Sequence, residues 1–110
     1  MIPSKVKVAG IEYQVKEVEG NLEKFNNLGQ INYFKGIIEI DDSMAADRKE
    51  QTFVHELLHA CFKEAGFDEQ DEDMIDRVSA ILYQVMKDNQ LHFGKTIIET
   101  DSGMKMTMNY

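Results

Sequence analysis

The chain has 110 residues, of which 43% are hydrophobic and 29% are charged, and this composition is typical of one ordinary globular domain. Its net charge of -8 argues against a surface for nucleic acid or anionic lipid, because both need a basic patch. No apolar run is long enough to span a membrane, and "MIPSKVKVAG" lacks the apolar segment of a signal peptide. We therefore expect a single cytoplasmic domain over residues 1–110 that contacts neither nucleic acid nor membrane.

Residues 1–41 have the pattern of β-strands. In "VKVAGIEYQVKEV" apolar and polar residues alternate on both sides of Ala9-Gly10, which is typical of a hairpin with one buried face. "GNLEKFNNLG" predicts a loop or a single helical turn. "QINYFKGIIEID" predicts two further strands around Lys35-Gly36, or one strand bent at a glycine bulge.

Two helices are expected after the strands. From residue 42 to 65 the apolar residues recur at helical spacing, with Asp42 or Ser43 as the N-cap and Gly66 after the last turn. A second helix is predicted over residues 71–89. Its apolar stripe comprises Ile75, Val78, Leu82 and Val85. The predicted fold class is α+β, with a small antiparallel sheet of three to four strands packed on two core helices.

The first predicted helix carries the motif His-Glu-Leu-Leu-His. Residues four apart lie one turn apart on one helix face, so His55 and His59 present two imidazoles to one point, as a tetrahedral Zn²⁺ ion requires. Glu56 is rotated by about 100° from His55, where it borders the metal and can act as a general base. HExxH on a helix is the signature of zinc peptidases. The motif therefore predicts a zinc-dependent hydrolase.

A zinc ion in such a site needs a third protein ligand. Glu72 falls on the inward side of the second predicted helix, at its N-terminus. Asp76 lies one turn later, where it can hold a ligand imidazole by its other nitrogen. Asp71 and Asp73 remain alternatives to Glu72, and His92 is a further candidate.

The segment around the motif resembles a known group of enzymes. "FVHELLHACF", preceded by "GIIEID" and followed by "EDMIDRVSAILYQVMKDN", resembles the gluzincin-type zinc metallopeptidases. It is most similar to the small phage and prophage HExxH proteins and to ImmA/IrrE-type domains. The resemblance implies a zincin-like minimal metallopeptidase in which "GIIEID" (36–41) lines the substrate cleft and can pair with an extended peptide.

The resemblance also assigns roles to individual residues. It implies that His55, His59 and Glu72 bind the zinc. It further implies that Glu56 is the general base and that Asp76 lies behind a ligand histidine. Glu72 follows His59 by thirteen residues (72 − 59), so the loop between the two helices must be tight.

The C-terminal segment "KTIIETDSGMKMTMNY" predicts a hairpin over residues 95–110, with Asp101-Ser102-Gly103 as its loop. Three interpretations are open. The hairpin completes the sheet, covers the cleft as an autoinhibitory segment, or packs against a second subunit by self-association. Tyr33 and Tyr110 are the candidate donors to an oxyanion, and the sequence does not choose between them.

The predicted function is the hydrolysis of peptide bonds in a peptide or protein substrate, with water as the nucleophile and Glu56 as the base. The alternative is a non-catalytic, zinc-stabilised binding or regulatory module of phage origin. The two differ in the need for Glu56, because a structural zinc site closes with four protein ligands and uses no base.

Overall fold

The computed structural model describes residues 2–20, 27–91, 95–99 and 105–109 of the chain. Several predictions concern residues outside these ranges. The residues concerned are most of the predicted loop "GNLEKFNNLG", the candidate ligand His92, the hairpin loop at 101–103, and Tyr110.

The main sheet has four strands in the order β1-β2-β4-β3. The strands are β1 (Lys5–Val8), β2 (Ile11–Val18), β3 (Gly29–Asn32) and β4 (Ile37–Asp41). β1 and β2 form an antiparallel hairpin, and so do β3 and β4. The first hairpin turns at Ala9-Gly10, where both residues have positive φ (52° and 80°).

The two hairpins are joined through a parallel pairing of β2 with β4. The sheet is therefore mixed, and the prediction of an antiparallel sheet is wrong. After β2 the chain passes to the far edge and enters β3, so that β4 returns beside β2 in the same direction. Each hairpin has a local pattern of alternating residues, but no local pattern records how two hairpins join.

The first helix, α1 (Ala46–Glu64), packs against one face of the sheet. Its buried side chains Phe53, Val54 and Ala60 join the core. The sheet contributes the alternating residues Tyr13, Val15, Ile38 and Ile40. Burial of this apolar face supplies the main stabilisation of the α+β fold.

Neither Asp42 nor Ser43 caps α1, contrary to the sequence prediction. The N-cap is Ala45, which makes no side-chain cap hydrogen bond. Ser43 instead donates its backbone N–H (2.9 Å) and its hydroxyl to the buried carboxylate of Asp41. The polar residues before the helix therefore form a turn at the end of β4, and the helix starts after that turn. At the other end Gly66 has φ 99°, as expected just beyond a helix C-terminus.

The second helix, α2 (Glu72–Asn89), packs on α1. Its buried residues are Ile75 and Ser79. Val78 and Leu82, predicted as core, are 47% and 37% exposed. That part of the predicted stripe is wrong, because the face of α2 that lies against α1 is the one that carries Glu72 and Asp76.

The remaining strands, β5 (Lys95–Glu99) and β6 (Lys105–Asn109), pair with each other in an antiparallel arrangement. They form a separate two-stranded sheet. The interpretation in which the C-terminal hairpin completes the main sheet is therefore wrong. Autoinhibition and self-association through this hairpin stay predictions. Neither α1 nor α2, the helices of the described residues, is both long enough and apolar enough to cross a membrane.

Candidate metal centre

The two histidines of the motif lie one turn apart on the side of α1 that faces α2. Their Nε2 atoms are 3.2 Å apart. Both side chains are largely buried, with exposed fractions of 20% for His55 and 12% for His59. The helix therefore holds two imidazoles at a fixed separation, as the spacing of four residues predicts.

Glu72 completes the arrangement from the first turn of α2. Its Oε1 lies 2.9 Å from His55 Nε2, and its Oε2 lies 3.0 Å from His59 Nε2. One ligand atom from each of the three side chains lies within 4.8 Å of the others. Among the described residues, these three form the group of His, Cys, Asp or Glu side chains that could hold a metal ion.

The other ring nitrogen of each histidine has its own acceptor. His55 Nδ1 is 3.0 Å from Asp76 Oδ1, and His59 Nδ1 is 2.7 Å from Gln70 Oε1. These acceptors assign the ring proton to Nδ1, which leaves the Nε2 lone pairs facing each other and the Glu72 carboxylate. Converging lone pairs repel unless positive charge lies between them.

A zinc ion fits this donor set. Two imidazoles and one carboxylate are the ligands of several catalytic zinc sites, in which a fourth position stays open. Ligand atoms about 2.05 Å from a tetrahedral ion lie about 3.3 Å from each other, close to the 3.2 Å between the two Nε2 atoms. The hydrogen bonds at Nδ1 are those that usually orient zinc-binding histidines.

Gln70 is the site residue that the sequence analysis missed. Its amide nitrogen also approaches the Tyr33 hydroxyl (3.3 Å) and the His59 carbonyl (3.4 Å), so the amide oxygen is free to accept from His59. Gln70 lies in the irregular connection between the helices. No periodicity marks such a position, and the only available signal was its nearness to Glu72 in a short loop.

The alternatives to Glu72 lie outside the cluster. Asp71 is the N-cap of α2, and its carboxylate accepts from the backbone N–H groups of Asp73 (3.0 Å) and Met74 (3.3 Å). Asp73 instead faces Arg77 on the exposed side of the helix, at 3.7 Å. The structure therefore brings Glu72 to the histidines and gives Asp71 a capping role.

Glu56 lies beside the three candidate ligands. It is 6% exposed, and its Oε1 is 3.9 Å from His55 Nε2. Burial raises the pKa of Glu56, while His55 and His59 oppose this effect. None of the described residues donates a hydrogen bond to this carboxylate. It is therefore available to accept a proton from another molecule.

A cavity of about 350 Å³ opens next to Glu56. It extends from the acidic first turns of α2 past His55 to the start of β3. β3 is an edge strand, whereas β4 lies between β2 and β3. The expectation that residues 36–41 form the cleft edge is therefore wrong. The sequence pattern of β4 could not reveal that β3 pairs with its outer edge.

Tyr33 follows β3 directly and is tied to the centre through Gln70. Burial raises the pKa of the Tyr33 phenol, the hydrogen bond from Gln70 lowers it, and the charge of Glu56 raises it. Its hydroxyl stays protonated at neutral pH and can donate a hydrogen bond. Tyr33, one of the two candidate oxyanion donors, is thus linked to His59 through Gln70, whereas Tyr110 lies outside the described residues.

Comparisons with known protein families, with curated proteins and with solved structures give no match to this chain. Its function is therefore inferred from its own side chains. The relevant features are the three converging side chains that could hold a metal ion, the buried carboxylate beside them and the adjoining cavity.

Proposed function

We propose that this protein is a zinc-dependent metallopeptidase of the gluzincin type. One observation carries the proposal: Glu56, a buried carboxylate with no protein donor among the described residues, lies beside three converging ligand side chains. Zinc bound by His55, His59 and Glu72 would lower the pKa of a bound water to about 7 and polarise a substrate carbonyl.

Glu56 has the properties of the proton carrier in this reaction. Its carboxylate is buried beside the three candidate ligands, where it is placed to accept a proton. It takes a proton from the attacking water and gives that proton to the nitrogen of the departing amine. Asp76 and Gln70 hold the imidazoles in place throughout, because each accepts a hydrogen bond from an Nδ1–H group.

The edge strand offers a place for an extended peptide. In the described part of the chain β3 pairs with β4 alone, so one side of its backbone is open for hydrogen bonds. A peptide added along this edge would pass the cavity that contains Glu56 and His55. Substrates would therefore be unfolded segments or short peptides.

A zinc-stabilised binding module is the competing function. A structural site normally has four protein ligands, whereas the cluster of described residues has three and adds a buried base. Zinc affinity cannot distinguish the two functions, because both need the ligands. Substitution of the base can.

The deciding experiment compares the wild type with Glu56→Gln. We expect about one zinc per chain in both proteins, and peptide hydrolysis about 10²–10⁴-fold slower in the variant. Glu19→Gln, in an exposed turn, is the matched control and should keep full activity. The assay also includes a variant that ends at Leu91, because a hairpin over the cleft would hide activity. If neither length of wild-type chain cleaves anything that Glu56→Gln spares, the binding module replaces the peptidase.

A further inference from the structure

One arginine lines the candidate cleft and has no assigned role. Arg48 lies on α1 seven residues before His55 and borders the same cavity as Gln51 and Thr52. The other charged residues that line this cavity, apart from the histidine, are the acidic Glu56, Glu72 and Asp76. Arg48 is therefore the single permanent positive charge among the described lining residues.

The side chain of Arg48 is also unpaired within the described part of the chain, where its guanidinium makes no hydrogen bond and no ion pair. Other cations of α1 are engaged: Lys49 binds Glu17 at 2.7 Å, and Lys63 binds Asp68 at 2.9 Å. The whole chain carries a net charge of -8, so acidic partners are plentiful. An exposed arginine without one is free to bind a carboxylate from outside, for which its planar guanidinium is well suited.

The fold determines which end of a bound peptide would meet Arg48. β3 runs in the same direction as α1, since Gly29 closely approaches Thr52 while the Tyr33 ring lies 5.7 Å from Lys63 Nζ. A peptide that extends the sheet antiparallel to β3, the slightly more stable pairing, runs the opposite way. Its N-terminal part lies near Tyr33, and its C-terminal part lies near Arg48.

We propose that Arg48 binds a substrate carboxylate on the C-terminal side of the scissile bond. This inference rests on the proposed peptidase function and names its substrate class. Seven residues of helix span about 10 Å, which is about three residues of an extended peptide. The carboxylate therefore belongs to one of the first three residues after the bond. It is either an Asp or Glu side chain or the α-carboxylate of a short peptide.

The test uses the zinc-loaded full chain and peptides that differ only at the second residue after the cleaved bond, which is Glu, Gln or Lys. We expect the wild type to favour Glu over Gln about tenfold in kcat/KM, mainly through KM, as one charged hydrogen bond near the surface allows. Arg48→Gln should lose the preference, and Arg48→Glu should favour Lys. Arg77→Gln, on the exposed face of α2, is the control and should behave as wild type.

Two further arms complete the design. Short peptides with a free or an amidated C-terminus distinguish the two carboxylates, since only a site for the α-carboxylate loses affinity on amidation. Fluorescence anisotropy of the same peptides with Glu56→Gln protein measures binding without turnover. Acidic peptides that bind more tightly to Glu56→Gln, and lose this advantage in the double variant with Arg48→Gln, would show that Arg48 binds the carboxylate. A wild type that then cleaves nothing would count against the peptidase proposal and not against this contact. Equal affinities across the series, or a preference that survives Arg48→Gln, would overturn it.

Discussion

At the scale of single residues, the site depends on two hydrogen bonds that point away from its centre. Asp76 and Gln70 each accept from an Nδ1–H group and thereby aim the Nε2 lone pairs at Glu72. The motif spacing was enough to place His55 and His59 together from the sequence. Gln70 could not be found in that way, because its position depends on the path of an irregular loop.

Gln70 should therefore matter for metal affinity. Gln70→Met keeps the length of the side chain and removes the acceptor, so we expect zinc affinity to fall about 10–100-fold, as is typical when the partner of a metal-binding histidine is lost. Competition with a chromophoric chelator measures the change. Gln84→Met, on the exposed side of α2, is the control. Unchanged affinity in Gln70→Met would mean that the His59 orientation does not depend on this bond.

Asp71 and Glu72 are neighbours with different expected roles. Asp71→Ala removes the N-cap of α2 and should lower the free energy of unfolding by about 1 kcal/mol while zinc affinity stays within about threefold. Asp71→Ser should restore the cap and the stability. Glu72→Ala should instead lower zinc affinity by orders of magnitude. Metal titration and urea unfolding of the three variants separate these effects, and the reverse pattern would make Asp71 the ligand.

At the scale of helices and strands, local patterns predicted most elements and missed how they face each other. The alternation in "VKVAGIEYQVKEV" corresponds to the buried Val8, Tyr13 and Val15 of β1 and β2. The apolar stripe predicted for α2 indicated the wrong packing face. That helix buries the small Ser79 against α1 and leaves Val78 exposed, an arrangement that also brings Glu72 to the histidines. Hydrophobic periodicity depends on apolar residues only and does not include this polar contact.

Gly29 sets the distance between β3 and α1. A Cβ atom at this position would lie 2.7 Å from Thr52 Cγ2 and 3.1 Å from the Glu39 carbonyl oxygen. Gly29→Ala should therefore destabilise the protein by about 1–3 kcal/mol, as overpacking usually does. Adding Thr52→Ser removes the nearer methyl group and should restore part of the loss. Urea unfolding of the double-mutant cycle measures this coupling, and strictly additive effects would show that the strand moves away freely.

At the scale of the whole molecule, polar side chains join the two helices at two separate places. One connection is the candidate metal centre. The other is Glu50 of α1, whose Oε1 accepts from Lys87 Nζ and from the Tyr83 hydroxyl of α2, both at 2.7 Å. The hydrogen bond from Tyr83 to Glu50 holds α2 in position on α1. The sequence could not indicate that Glu50 and Tyr83 are partners, because they are 33 residues apart.

The second connection should make stability depend on acid. Several interactions lower the pKa of Glu50 from 4.5 to about 2; the hydrogen bond from Lys87 is the largest of them, and that from Tyr83 is another. The fold therefore favours the ionised form, and this stabilisation is fully present above about pH 4.5 and is lost as the pH falls toward about 2. The full shift would correspond to about 3 kcal/mol, but Lys87 is 50% exposed, and solvent screening reduces the expected contribution to about 1 kcal/mol.

Glu50→Gln tests this dependence at constant size. At neutral pH the variant should unfold about 1 kcal/mol more easily than the wild type, and the difference should close on acidification because only the wild type loses a stabilising charge. Urea unfolding at intervals between about pH 7 and pH 2.5 gives both curves. Glu19→Gln should follow the wild type throughout, since Glu19 lies in an exposed turn. Parallel curves for wild type and Glu50→Gln would show that the Glu50–Lys87 pair does not stabilise the packing of α2 on α1.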